Sequence, residues 1–145
     1  MIAVGSEVWS ETLGQVRRCG AGRRECVVFW VGSAEATGVI TRMVHPKHTA
    51  TPWHYRVDDA WLNGFWLGLA RSHESVKAQV HTHGSRASHS RTDDMGALVY
   101  QEGFLSLVVP RFAMQDDCRD RAFLAELDAS GQWREVEVGE RFTWA

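Results

Sequence analysis

The segment that most limits how this chain can fold is the pair His81 and His83, which closes a run of alternating apolar and polar residues that starts at Val76. Such alternation predicts a β-strand, and side chains two apart on a strand point to the same face. We therefore expect both imidazoles to project side by side from the polar face, near the end of the strand. Two imidazoles so placed can bind one divalent metal ion, although an isolated pair is also common as polar surface residues.

Ser90 and Asp93 favour the metal site over the surface pair. They follow the histidines with the spacing Ser-x-x-Asp, where we predict a helix from Thr92 or Asp93 to about Tyr100. A carboxylate that arrives there would complete a set of three ligands. Three protein ligands and one water are the usual plan of a catalytic rather than a structural zinc site.

The order His-x-His, short loop, Ser-x-x-Asp resembles the metal-binding signature of the JAB/MPN metalloproteases, also called JAMM. Segments 79–83, 89–94 and 102–110 resemble the compact bacterial branch of that family in particular. The resemblance covers most of the chain, from about Glu25 to the last predicted strand. It implies a JAB/MPN-like fold, similar to that of the cytidine deaminases, with helices on both sides of a curved sheet.

The sequence departs from the family pattern at two points. Gly84 stands where the family commonly has proline, and the loop from His83 to Ser90 is one residue shorter than the commonest spacing. The short loop leaves a choice of ligand, because Asp93 keeps the spacing to Ser90 while Asp94 keeps the commonest distance from His83. We predict Asp93, since its spacing to Ser90 places both residues around the start of one helix.

The resemblance also implies the roles of the site residues. Zn²⁺ would be held by His81, His83 and Asp93, where it would activate a water molecule and polarise a carbonyl group. A glutamate near an early strand serves the family as proton shuttle, and Glu25, which precedes an apolar strand, matches it. Ser90 would donate a hydrogen bond to the developing oxyanion, and it is equally suited to cap the helix.

Other residues compete for these roles or support them. The other glutamates considered as proton shuttle are Glu35 in a turn, Glu74 in a loop and Glu102 before a strand. His89 and Asp94 are candidates for orienting the metal ligands from a second layer.

The resemblance implies a deubiquitinase-like zinc isopeptidase, which cleaves after the C-terminal tail of a bacterial ubiquitin-like protein or releases it from its conjugates. Its expected partners include ubiquitin-activating-like and ubiquitin-conjugating-like enzymes, which accompany bacterial relatives, some in antiviral (antiphage) defence. The segment 45–55 would form a substrate rim with Trp53 and Tyr55, and an extended tail could add to a sheet edge. Two alternatives remain open: a hydrolase that releases an amino acid from a sulfur-carrier protein, and a non-catalytic scaffold.

The order of predicted elements indicates an α+β fold, an α/β sandwich with a mixed, curved β-sheet flanked by helices, in a single domain over residues 1–145. Ser6 and Asp58 are predicted to cap two helices, and residues 1–5 to form a short edge strand. The remaining predicted strands are 25–32, 38–44, the strand that ends at the histidines, 103–110, 123–127 and 133–138. Segment 45–55 is predicted to be irregular.

Charge and composition exclude several other classes. A net charge of −2 argues against a nucleic-acid partner, and no apolar run is long enough for a membrane span. Glu7 and Glu11 interrupt the place where the apolar part of a signal peptide would lie. The three cysteines have no motif spacing, which makes a disulfide framework unexpected and points to a cytoplasmic protein. His45, His48 and His54 fit no ligand spacing either, and the sequence predicts no second metal site from them.

Overall fold

The computed structural model describes residues 1–90, 93 and 98–145. Its helices and strands follow in chain order. They are β1 (Ile2–Val4), α1 (Ser6–Gly20), β2 (Val27–Ser33), β3 (Val39–Ile40), β4 (Arg42–Val44), β5 (His48–Ala50), β6 (Tyr55–Val57), α2 (Asp59–Ser72), β7 (Glu74–Thr82), β8 (Leu105–Val109), a 3-10 turn (Arg111–Ala113), β9 (Phe123–Leu127), β10 (Trp133–Val136), α3 (Val138–Arg141) and β11 (Phe142–Trp144).

The largest sheet has six strands in the order β10-β9-β8-β7-β2-β4. Its strands β7 and β8 are parallel, whereas the other neighbours run antiparallel, so the sheet is mixed. Helix α1 packs on one face and helix α2 on the other, each with its own apolar cluster. The predicted α+β class, a mixed sheet flanked by helices, is confirmed.

Strand β2 is apolar on both faces because both faces are covered by a helix. Trp30 points towards α1, where its indole Nε1 donates a hydrogen bond of 2.8 Å to Thr12 Oγ1. Phe29 points towards α2, where its ring stacks on that of Phe65 with 5.6 Å between the ring centroids. The near-continuous apolar run seen in the sequence is therefore a strand buried from two sides.

The ends of the helices agree only in part with the predicted caps. Asp58 caps α2, since its Oδ2 accepts a hydrogen bond of 2.9 Å from the backbone N–H of Trp61. Ser6 does not cap α1: it is the first helical residue, and Gly5 holds the cap position without a side-chain hydrogen bond. Of the helix predicted to run to Tyr100, Asp93 is helical and 98–100 are not, and 91–92 and 94–97 lie outside the described residues.

The strands outside the main sheet were predicted less well. Strand β1 is not an edge strand, because it lies between β11 and β3 in a three-stranded sheet and is parallel to both. The predicted returning strand 38–44 is divided between two sheets, with β3 beside β1 and β4 beside β2. Segment 45–55 is not irregular throughout, since β5 pairs with β6 as a hairpin. Strand β11 was not predicted.

The cysteines also differ from expectation. Cys19 and Cys26 are joined as a disulfide, with 6.0 Å between their Cα atoms, so the prediction that no disulfide forms is wrong. The three-dimensional approach of the end of α1 to the start of β2 brings them together, which sequence spacing does not show. Cys118 is a free and buried cysteine, as expected. Within residues 1–90, 93 and 98–145, no helix combines the length and apolarity needed to cross a membrane.

Candidate metal centre

The pairing of β2 with β7 brings Glu25 to the histidines. The two strands are antiparallel, and Val27 lies opposite His81 in their register. Glu25, two residues before Val27, therefore lies beside His83, two residues after His81. The same register continues before the start of β2, because the backbone N–H of Thr82 donates a hydrogen bond of 3.0 Å to the carbonyl of Cys26.

Four side chains converge at this end of the sheet, and we call them the Glu25 cluster: Glu25, His81, His83 and Asp93. The Nε2 atoms of the two histidines are 3.2 Å apart. Asp93 reaches both, with Oδ1 at 3.3 Å from His81 Nε2 and Oδ2 at 3.1 Å from His83 Nε2. Glu25 Oε1 lies 3.3 Å from His83 Nε2. The structure thus brings together the predicted proton shuttle, Glu25, and the three predicted metal ligands.

These distances fit a small divalent cation. Nitrogen and oxygen ligands of a tetrahedral zinc ion are separated by about 3.3 Å, given metal–ligand bonds of about 2.0–2.1 Å. The three distances among His81, His83 and Asp93 span 3.1–3.3 Å. In addition, Glu25 Oε2 is buried and has no hydrogen-bond partner among the described residues. A buried acceptor of this kind is expected to meet a water or an ion.

The two carboxylates have opposite protonation behaviour. Burial raises the pKa of Glu25 from its ordinary 4.5 to about 7, a rise that the charge of His83 reduces and that of Asp93 reinforces. Burial acts in the same direction on Asp93, but hydrogen bonds from His81 and His83 outweigh it and hold the pKa of Asp93 well below its usual range. One carboxylate is therefore a fixed anion suited to bind metal, and the other can exchange a proton near neutral pH.

The two imidazoles differ as well. Burial lowers the pKa of His81, which favours the neutral ring that binds metals. Burial also acts to lower the pKa of His83, but the hydrogen bond to Asp93 and the charges of Asp93 and Glu25 raise it overall. His83 is held between two carboxylates, so a positive charge at this point, from a proton or a metal ion, is favoured.

Ser90 and Asp93 fix each other through reciprocal hydrogen bonds. The backbone N–H of Asp93 donates to Ser90 Oγ at 3.1 Å, and the backbone N–H of Ser90 donates to Asp93 Oδ2 at 2.8 Å. This is the arrangement of a capping box at a helix start. Ser90 thereby fixes the orientation of the Asp93 carboxylate beside the two histidines.

The residues assigned to supporting roles lie at different distances from the metal centre. His89 Nε2 is 2.9 Å from Ser106 Oγ, and its ring lies 6.2 Å from that of His81, so it belongs to the wall of the site. Asp94 lies outside the described residues. Of the rivals to Glu25 as proton shuttle, Glu74 instead pairs with Arg42 on the surface, at 2.9 Å.

The two aromatic residues of the predicted rim have separate environments. Trp53 is 81% exposed, in the turn between β5 and β6. Tyr55 is half-buried, with its ring 5.2 Å from that of His81, and burial raises the pKa of its hydroxyl above the ordinary value. The β5–β6 hairpin therefore places one aromatic residue against the Glu25 cluster and presents the other to solvent.

The glycine after the second histidine has a structural reason. A Cβ atom at Gly84 would lie 2.5 Å from Phe112 Cζ, closer than side chains approach. Phe112 is anchored there because its backbone N–H donates a hydrogen bond of 2.8 Å to the carbonyl of His83. The Phe112 ring thus occupies the space that a proline ring would need.

A second group of ligand-type side chains was missed by the sequence reasoning. Cys19, Cys26, His45 and His48, which we call the cysteine cluster, place their sulfur and nitrogen atoms within 4.8 Å of one another. The sequence analysis predicted no second site because it considered only the spacing of His45, His48 and His54. The two cysteines of this cluster come from other parts of the chain. The only available signal was the pairing of two cysteines with two histidines in the same half of the sequence.

Comparison with known proteins finds a curated relative and solved structures of similar fold. No family model matches the chain. The "probable metalloprotease y4jG" of Sinorhizobium fredii is 31% identical over 144 residues, which cover 93% of this chain and 86% of that protein. A protein of Desulfitobacterium hafniense, solved in solution, is similar in fold, with a TM-score of 0.70, 14% identity, and 100% of this chain and 93% of that chain covered. A JAB1/MPN domain protein of Archaeoglobus fulgidus has a TM-score of 0.52 and 14% identity, with 99% and 97% covered.

Proposed function

Because this chain belongs to the JAB/MPN family of metalloproteases, we propose that it is a zinc-dependent isopeptidase that cleaves after the C-terminal tail of a bacterial ubiquitin-like protein. The family makes it a metal-dependent hydrolase. The observation that best supports catalysis is the approach of Glu25 to His83, at 3.3 Å, within a group of metal ligands. A buried carboxylate with a raised pKa beside ligand-type side chains is typical of catalytic sites, which favours an enzyme over a scaffold.

Zinc suits this donor set, because two imidazoles and one carboxylate are the usual protein ligands of catalytic zinc and leave one position for water. When bound, the ion would lower the pKa of that water and polarise the substrate carbonyl. His81, His83 and Asp93 would hold it. Ser90 keeps the Asp93 carboxylate turned towards the histidines, and its hydroxyl is our candidate donor to the oxyanion.

Glu25 would carry the proton in both directions. Its Oε2 is buried without a hydrogen-bond partner among the described residues, and a pKa of about 7 would let it take a proton from water and return it to the leaving amine at neutral pH. The low dielectric that raises this pKa also strengthens the electrostatic interactions that stabilise the transition state. Burial of Glu25 thus serves both steps.

The proposed substrate is an extended tail that ends in glycine. Strand β4 is the last strand of the main sheet on the side nearest to Glu25, and a peptide in extended conformation can add to such an edge. Exposed Trp53 would contact the folded part of the modifier, since aromatic residues dominate protein interfaces. We propose a cytoplasmic role beside ubiquitin-activating-like and ubiquitin-conjugating-like enzymes, in antiphage conjugation.

The test offers the purified protein several bacterial ubiquitin-like proteins, each fused through its C-terminal tail to a reporter. We expect cleavage after the tail that stops with a chelator and returns with zinc. Glu25→Ala should abolish cleavage while bound zinc is unchanged, and Glu35→Ala, at an exposed turn, is the matched control.

Two results would overturn this proposal. Full activity in Glu25→Ala would show that Glu25 is not the proton shuttle. Failure of zinc-loaded protein to cleave any of the fusions would show that it is not an isopeptidase. Release of a single amino acid from a sulfur-carrier protein, detected by mass spectrometry, would replace it with the alternative hydrolase.

A further inference from the structure

The cysteine cluster joins three parts of the chain that are distant in sequence. Cys19 lies in the last turn of α1, Cys26 directly precedes β2, and His45 and His48 follow β4. Each histidine faces one sulfur: His48 Nε2 is 3.4 Å from Cys19 Sγ, and His45 Nε2 is 3.5 Å from Cys26 Sγ. The two rings are 5.1 Å apart and nearly perpendicular. Two sulfurs and two imidazole nitrogens thus point to one volume.

The nitrogen–sulfur distances are those of a metal site. Bonds of about 2.3 Å to sulfur and about 2.0–2.1 Å to nitrogen, arranged tetrahedrally, separate sulfur from nitrogen by about 3.6 Å. The two observed distances, 3.4 and 3.5 Å, come close to that value. Two thiolates and two imidazoles are also a common ligand set of structural zinc, which has no open position.

The hydrogen bonding of His48 supplies a second, independent observation. His48 Nδ1 lies 3.0 Å from the backbone carbonyl of Pro46, and because a carbonyl only accepts, Nδ1 must carry the proton. In the neutral ring, Nε2 then has a lone pair and no proton. A disulfide sulfur has no proton either, so the contact with Cys19 places two electron pairs against each other. Once the disulfide is reduced and the Cys19 thiol has lost its proton, the same two electron pairs can bind one cation, and a carbonyl that accepts from Nδ1 is typical of histidines that bind metals.

We propose that Cys19, Cys26, His45 and His48 form a second, structural Zn²⁺ site when the two cysteines are reduced. A dithiol reductant would transfer two electrons and two protons to the Cys19–Cys26 disulfide and leave as its own disulfide. The two thiols would then lose their protons as both sulfurs bind the ion, which gives a neutral complex. Arg18, Arg24 and Lys47 line the same open groove, and their positive charges favour the thiolate form.

A zinc ion at this site would restrict the position of the chain next to Glu25, the proposed proton shuttle. Cys26 is the neighbour of Glu25, and the backbone N–H of Glu25 donates a hydrogen bond of 3.0 Å to the carbonyl of Thr51, just after β5. Zinc would hold β5 through His48 and the approach to β2 through Cys26. Both segments that form the Glu25–Thr51 hydrogen bond would then be linked through zinc to Cys19, at the end of α1.

Cobalt replacement distinguishes the two sites, because only the cysteine cluster offers sulfur. Reduced wild-type protein loaded with Co²⁺ under argon is expected to show the near-ultraviolet charge-transfer band of cobalt thiolate. The band should lose at least half of its intensity in Cys19→Ser and in Cys26→Ser, each of which removes one sulfur ligand, and persist in Cys118→Ser, which changes the free cysteine. His48→Ala should weaken it, and His54→Ala, in the same segment but outside the cluster, should not.

Metal analysis of oxidised and reduced protein gives a second readout. We expect about two zinc ions per reduced chain, about one after oxidation to the disulfide, and about two again after treatment with a dithiol. His81→Ala should lower the reduced value to about one without affecting the cobalt thiolate band.

Absence of the band from reduced wild-type protein, or equal zinc content in oxidised and reduced protein, would overturn the proposal. Loss of the band on Cys118→Ser, with Cys19→Ser unaffected, would also do so. None of these results depends on hydrolase activity.

Discussion

The Glu25 cluster and the cysteine cluster hold two histidines each, and they contain one pair of adjacent residues, Glu25 and Cys26. They differ in their remaining donors. The first adds two carboxylates, one of which has a pKa raised to about 7, and the second adds two sulfurs, each of which faces an imidazole. Hard oxygen donors with a vacant position suit hydrolysis, whereas four matched soft and borderline donors suit a closed site.

Local backbone geometry explains how one short segment can serve both clusters. Successive side chains of an extended chain point to opposite faces, so Glu25 and Cys26 separate although their backbones are joined. Cys26 packs with the apolar cluster on the α1 side of the sheet, and Val27 packs on the α2 side. Under the two proposals, the face on the α2 side would carry the chemistry and the face on the α1 side would fix the chain.

The largest expected difference between the clusters is in activity. His81→Ala removes a ligand of the Glu25 cluster, and we expect cleavage to fall by more than about a hundredfold, because even loss of an outer-layer partner can have an effect of that size. His48→Ala removes the equivalent ligand of the cysteine cluster, and cleavage should stay within about tenfold of wild type. Values of kcat/KM on the same fusion, with circular dichroism to verify folding, measure both. Equal losses would break the comparison.

The next effect is on stability, depends on pH and arises at Glu25. Because the folded-state pKa of Glu25 is raised from 4.5 to about 7, the folded protein binds this proton more tightly than the unfolded chain does. The associated stability is present below pH 4.5 and is lost as pH rises through about 7. At 1.36 kcal/mol per pKa unit, the total is about 3 kcal/mol.

Urea unfolding of metal-free protein between pH 4 and 8 measures this. The wild-type free energy of unfolding should fall relative to that of Glu25→Gln, which cannot ionise, and the control Glu35→Gln should follow the wild type. A wild-type curve parallel to that of Glu25→Gln would mean that Glu25 is not buried as a neutral acid.

A smaller effect is expected where Gly84 meets Phe112. Gly84→Ala would bring a methyl group within 2.5 Å of the ring, and overpacking of this kind costs about 2 to 3 kcal/mol. Zinc at the Glu25 cluster should be lost more easily, since Gly84 follows His83, while the cobalt thiolate band should remain. Phe112→Leu should relieve the loss in the double variant. Gly64→Ala, in open space on α2, is the control, and a similar loss there would show that the effect is not local.

The two clusters also show what could be predicted from sequence. His81, His83, Ser90 and Asp93 lie within one strand and the following turn, so period and spacing alone place them together. Glu25 lies beside them only because strand β2 pairs with strand β7, and the family resemblance was needed to identify it.

The cysteine cluster lay beyond both methods, because its contacts span 19 and 29 residues and match no motif. For the same reason the main sheet was predicted better than the three-stranded sheet. In the latter, β1 lies between strands that begin at Val39 and Phe142, and only tertiary pairing reveals this.

The smallest expected effect is that of substituting Thr82, which lies between His81 and His83. It tests whether the two clusters are coupled. Thr82 Oγ1 accepts a hydrogen bond of 2.9 Å from the buried backbone N–H of Cys26. Thr82→Val keeps the shape but leaves that N–H unpaired, which should lower the free energy of unfolding by about 1 to 2 kcal/mol. Both zinc ions should then dissociate faster, because the same bond positions a strand of each cluster. Thr82→Ser, which keeps the hydroxyl, should restore both rates. If Thr82→Val speeds release from one cluster only, the two sites are independent, and the shared segment is a coincidence of topology.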